Sequence, residues 1–244
     1  MLADRRIASS FLGFLLLGMP YAAVGVAWPS MAGDLGRSLG DLGFVLVATT
    51  AGYMAATMAN GFLTRWLGTG TVLPLASALA TLSIALWAAA GSLGALLAGA
   101  VALGVGGGAI DAGINAYVAV YGSTSAMGWL HATFGLGSAI GPLVITVFID
   151  SGASWRSGFW ILAVAQLAVT VTFALTRRGW PARTLRTGKA PARLPRHLRP
   201  LLAVGLGAFA LYTGVEVAAG EWSYSLFTEG RSVGIRAAGL LVTG

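Results

Sequence analysis

Residues 104–120 read "GVGGGAIDAGINAYVAV". They sit inside an apolar run from Leu93 to Tyr121 that carries one ionisable side chain, Asp111, with an amide, Asn115, four positions on. The run exceeds the roughly 20 residues that a helix needs to cross a bilayer. Strand alternation is missing, which disfavours a barrel, and backbone polar groups in lipid must be satisfied within the segment. A transmembrane helix follows. Gly104, Gly106, Gly107, Gly108 and Gly113 allow neighbouring helices to approach closely. No strand precedes them, so they do not read as a phosphate-binding loop.

The same pattern recurs along the chain. Runs long enough to span are Ala8–Pro29, Asp41–Asn60, Thr71–Ala90, Leu93–Tyr121, Met127–Ile149, Trp155–Thr176 and Leu201–Phe227, and an eighth begins near Ile235 and stops at the chain end. Composition agrees: 9% of residues are charged and 57% hydrophobic, with mean hydropathy +0.80. A soluble domain carries about 25% charged residues. The first run follows Arg5-Arg6 and is too long for the apolar region of a cleaved signal, about 7–15 residues, so it reads as a retained span. With no cysteine, two histidines and eight scattered acids, no disulfide framework, thiolate nucleophile, metal site or cofactor is expected.

The net charge of +7 is distributed by side. Arg5, Arg6, Arg65 and the eight basic residues of "RRGWPARTLRTGKAPARLPRHLRP", residues 177–200, fall on one side of the spans. Arg37, Arg156, Arg231 and Arg236 fall on the other, among Asp34, Asp41, Asp150 and Glu229. The positive-inside rule makes the first side cytoplasmic, N-terminus included. It also explains the basic charge without nucleic acid. The prolines of residues 177–200 argue against one long helix there. That segment reads as a linker resting on anionic lipid headgroups. A single cysteine at Ser38 or Gly152 is expected to react with an impermeant thiol reagent in intact cells, and one at Thr187 is not. The reverse labelling would invert the orientation.

Two stretches match at a constant offset of 194 residues: "WPSMAGDLGRSLGDLG" from Trp28 and "WSYSLFTEGRSVGIRAAG" from Trp222. Each begins at the outer end of a span and leads into the next. A six-span bundle at 1–176, a linker at 177–200 and the start of a second bundle at 201–244 describe two parallel halves, the second barely begun. The chain thus reads as part of a protein of about twelve spans, and residues 1–244 alone are expected to accumulate no solute.

The residues "GVGGGAIDAGINAYV", "LHATFGLGSAIGP" and "YTGVEVAAGEW" resemble the major facilitator superfamily, and within it the fucose permease-like branch of sugar:proton symporters. "GFLTRWLG" resembles the superfamily's loop motif, with Thr64 where an Asp is usual. The resemblance implies an all-α membrane protein with the major facilitator fold: a complete six-helix N-terminal bundle plus span seven and part of span eight, truncated after the start of the eighth. It implies a multi-pass plasma (inner) membrane carrier moving a small polar, sugar-like solute with protons by alternating access, as a monomer. Asp111 and Asn115 match the branch's acid and amide in span four. Span one lacks the second acid of the fucose-type members.

Ionisable residues within spans are costly and usually face a pathway. Asp111 is therefore a candidate proton site, and Asn115 shares its helix face at i+4. His131 shares a face with Phe134, Gly135 and Ser138 and can relay protons, histidine being the side chain that titrates near neutral pH. Glu216, with Tyr212 one turn before it, lies in span seven and pairs with Ala22 at the repeat offset, so the acid belongs to the second half's own work. Asp111, Asn115, His131, Glu216 and Tyr212 form the expected substrate and proton site. Glu221, nearer the outer surface, reads as solvated. Gly137, Gly141 and Pro142 read as structural, and Trp28, Trp155, Trp180 and Trp222 as interfacial anchors. Asp111, Asn115 and His131 each also have a plain structural reading as a group hydrogen-bonded between helices.

Other functions fit less well. Drug or metabolite efflux leaves the same spans, although an acid–amide pair suits hydroxyl-rich ligands. An intramembrane aspartyl protease needs a pair of acids working together, and Asp111 and Glu216 are the only mid-span acids. A non-transporting membrane receptor or an inert fragment is the remaining alternative.

Overall fold

The structure is a computed structural model and describes residues 2–181 and 195–243. Much of the basic linker thus lies outside the described residues. Eight α-helices follow in order: α1 Leu2–Leu35, α2 Leu42–Leu67, α3 Thr69–Ala89, α4 Leu93–Tyr121, α5 Thr124–Asp150, α6 Trp155–Thr176, α7 Arg199–Ser225 and α8 Ile235–Leu241. Among the described residues, seven helical segments are long and apolar enough to cross a membrane.

The first six helices form one bundle. α1 packs along α5 and more lightly on α6, α2 packs along α4, and α3 lies between α4 and α6. Small residues set these contacts. At Gly104 an added Cβ would run into the Thr49 carbonyl and lie 2.8 Å from the Tyr53 nitrogen. At Gly141 it would meet the Met19 carbonyl. The α2–α4 and α1–α5 pairs therefore touch backbone to backbone, where dispersion replaces the hydrophobic drive that lipid cannot supply. α5 runs unbroken through Pro142.

Two expectations from the sequence differ from the structure. "GFLTRWLG" is not a loop: α2 continues to Leu67, and Gly68 alone, at φ 78°, separates it from α3. Thr64 is buried there and donates to the Asn60 carbonyl at 2.8 Å. Trp28, Trp155 and Trp180 are 0%, 2% and 4% exposed, so they belong to the core and not to an interfacial belt. Each indole N–H finds an acceptor: the Leu39 carbonyl at 2.9 Å, Asp34 Oδ2 at 2.9 Å and Thr176 Oγ1 at 3.2 Å. A satisfied indole can leave the interface. Trp66, Trp129 and Trp160 are the exposed ones.

A polar clasp ties the C-terminal ends of α1 and α3 to the N-terminal end of α6. Asp34 Oδ2 accepts from Arg156 Nη1 at 2.6 Å and from the Trp155 indole. Arg156 Nη2 donates to the Ala90 carbonyl at 3.0 Å, and its guanidinium lies 4.2 Å from the Trp155 ring centroid. Both charges are partly exposed, so the pair is worth little beyond the usual surface bridge. A double-mutant cycle of Asp34→Asn and Arg156→Gln, read by thermal unfolding in detergent, should give a coupling of about 1 kcal/mol. Additive effects would show that the contact holds nothing.

α7 stands apart. It is exposed from Arg199 through Gly220, apart from half-buried Thr213, and meets the bundle through α1 near its C-terminal end. An added Cβ at Gly25 of α1 would lie 2.6 Å from the Glu221 carbonyl oxygen, so this crossing too is made at a glycine. α8 follows the second Gly-Arg-Ser stretch, as α2 follows the first, and packs on α5, with Gly239 against Thr146.

Candidate functional site

A cavity of about 410 Å³ opens between α1, α2, α5 and α7. Tyr21, Thr49, Tyr53, Trp87, Phe134 and Ser138 are among the residues that line it, and α7 contributes Glu216 and Glu221.

Asp111 lies in α4, half-buried, behind this wall. Asn115 Nδ2 donates to Asp111 Oδ1 at 3.0 Å and to the Asp111 carbonyl at 3.1 Å. The amide is thus pinned by one turn of its own helix, and it presents a donor to the carboxyl group. The Tyr53 hydroxyl of α2 interacts with the same carboxyl, and His131 of α5 acts on it electrostatically. The His131 imidazole stands edge-on to Phe14, with ring centroids 5.9 Å apart and planes at 81°. Tyr21 meets Tyr53 edge to face at 6.3 Å and donates to the Leu103 carbonyl at 3.1 Å. Gly107 makes room for that phenol, since a Cβ there would occupy the place of the Tyr21 oxygen.

Of the residues named from sequence, Asp111, Asn115 and His131 converge. Glu216 reaches the cavity from α7. Tyr212 is 64% exposed and is not on the cavity wall. Glu221 corrects an expectation: its Oε2 is buried, without a hydrogen-bond partner, and the residue lines the cavity. The α1–α7 crossing at Gly25 covers it. Tyr21 and Tyr53 were missed altogether. The available signal was a phenol in an otherwise apolar span, where its hydroxyl must find a partner.

Chemically, the site joins a carboxyl group able to take or release a proton to a cavity rich in hydroxyls and aromatic rings. Among the described residues no group of three or more His, Cys, Asp or Glu could hold a metal ion.

A sequence profile of the Major Facilitator Superfamily matches residues 10–243. The chain is 28% identical to human sodium-dependent glucose transporter 1 over 151 residues, which are 61% of this chain and 29% of that protein. It is 30% identical to the probable sulfoacetate transporter SauU of Cupriavidus necator over 155 residues, 62% of this chain and 36% of that one. The matched region therefore spans about a third of each relative's length. Among solved structures, the nucleoside transporter NupG superposes with TM-score 0.69 at 14% identity, over 100% of this chain and 62% of NupG. That likeness concerns the fold.

Proposed function

The chain belongs to the Major Facilitator Superfamily and is a multi-pass integral membrane protein, and on that premise we propose that it supplies the first half of a secondary transporter for a small, hydroxyl-rich solute, driven by protons through alternating access. The observation that carries this reading is the Asp111–Asn115 pair, set directly behind Tyr53 on the cavity wall.

A carboxyl group in a low-dielectric site resists carrying charge unless water or a donor reaches it. When the cavity is open to water, Asp111 can exchange its proton. When the cavity closes, the neutral form is favoured. Protonation and solute binding then bias the same equilibrium between open states, which is what coupling requires. Asn115 and Tyr53 can serve either form, because an amide and a phenol can each donate to the carboxylate, and the phenol oxygen can accept from the acid. Thr49, Thr50 and Ser138 offer hydroxyls for solute hydrogen bonds. His131 is placed to influence the proton on Asp111, and Glu216 to meet solute from the second half. The N-terminus and the basic linker belong on the cytoplasmic side of the inner membrane, with the linker on anionic headgroups, and the transporter works as a monomer.

The relatives support a carrier of small solutes, and the human one is named for glucose and for sodium. The coupling ion is therefore what the experiment must separate. Proteoliposomes carrying the transporter that contains this chain should take up labelled sugar when the lumen is made alkaline, with no sodium present. Uptake that follows an imposed sodium gradient and ignores pH would overturn proton coupling.

A further inference from the structure

We propose that Glu221 makes the cavity a recognition site for a cationic nitrogen, so that the preferred solute carries an ammonium group beside its hydroxyls. This rests on reading the cavity as the solute site. Glu221 Oε2 is buried with no donor to satisfy it, although the residue lines the cavity. A buried carboxylate oxygen without a donor is costly and demands an explanation, even with the Gly25 backbone N–H acting on the same carboxyl group. Its place depends on Gly25: an added Cβ would stand 2.7 Å from that same oxygen. The glycine thus leaves the carboxylate its room at the α1–α7 crossing.

The rest of the lining points the same way. Glu216 supplies a second carboxylate, and no Lys, Arg or His lines the cavity among the described residues. Asp111 adds a third acid one layer back, behind Tyr53. Tyr21, Tyr53, Trp87 and Phe134 bring aromatic rings to the wall, and ring faces attract cations. A neutral hydroxyl would satisfy Oε2 only in part. A charge-assisted N–H bond both fills the acceptor and offsets the buried charge. A carboxylate or sulfonate solute would be repelled.

Three sugars built on one pyranose ring test the charge: glucosamine, its uncharged near-isostere glucose, and the anion glucuronate. Binding to the purified transporter that contains this chain is measured by calorimetry near neutral pH. Glucosamine should bind roughly tenfold or more tighter than either of the others. Glu221→Gln should bring glucosamine level with glucose. Glu221→Asp, which keeps the charge but shortens its reach, should narrow the margin as well and serves if the first variant does not fold. Glucuronate binding as well as glucosamine, a margin that survives both substitutions, or no binding by any of the three would overturn the assignment. Proton-driven uptake of neutral sugar with no preference for the amine would sink this inference and leave the transport reading standing. Loss of all pH-driven uptake, with the glucosamine margin intact, would do the reverse.

Discussion

Asp111→Asn, placed in the transporter that contains this chain, is expected to abolish accumulation driven by a pH gradient while solute binding and exchange persist. Asparagine has nearly the shape of the neutral acid and cannot release a proton. The partners of Asp111 can accommodate it: Asn115, which donates to Oδ1 at 3.0 Å, keeps a carbonyl acceptor to meet, and so does Tyr53. The cavity should therefore fill and change sides as before. What disappears is the link between proton and open state, because the substituted group is neutral in both. The reading comes from two assays on one preparation: counterflow of labelled solute, which should be retained, and concentrative uptake, which should fall to the level of empty vesicles. A variant that still concentrates solute would remove Asp111 from the coupling role. Glu216 and His131 would then be the next groups to substitute.

The second large effect is on stability. Gly104→Leu should destabilise the bundle by roughly 3 kcal/mol, at the upper end for overpacking. The obstacle is backbone, the Thr49 carbonyl and the Tyr53 nitrogen, and it cannot rotate away as a side chain can. α2 and α4 would have to separate along their whole contact. They would take Tyr53 away from Asp111, so the site should fail together with the fold. Gly205→Leu on α7 is the control, since nothing lies within 4 Å of a Cβ there. It should unfold no earlier than the parent. Thermal unfolding in detergent decides the matter, and equal midpoints for the two variants would show that α2 and α4 do not meet through their backbones.

The spans themselves were legible because their signal is one-dimensional. The length of an apolar run limits a membrane helix wherever it packs, so Leu93–Tyr121 and Trp155–Thr176 coincide with α4 and α6. Runs bounded by helix-compatible polar residues came out short. α2 was read to end at Asn60 and continues to Leu67, since a helix need not stop where the apolar run does. Asp111 and Asn115 were also legible. Their relation is one turn of a single helix, fixed by 3.6-residue periodicity.

Everything that depended on which helix faces which was not. In a soluble protein an apolar stripe shows the buried face. In lipid both faces are apolar, and the outward side looks like the inward one. Hence Tyr53 of α2 could not be matched to Asp111 of α4, nor could Trp28, Trp155 and Trp180 be told from interfacial anchors. The two glutamates of α7 show the limit best. By sequence Glu216, deeper in its span, was the site residue and Glu221 the solvated one. Tertiary structure covers Glu221 instead, because α7 crosses α1 at Gly25, and a glycine is the one residue there whose missing side chain admits both the helix and its carboxylate.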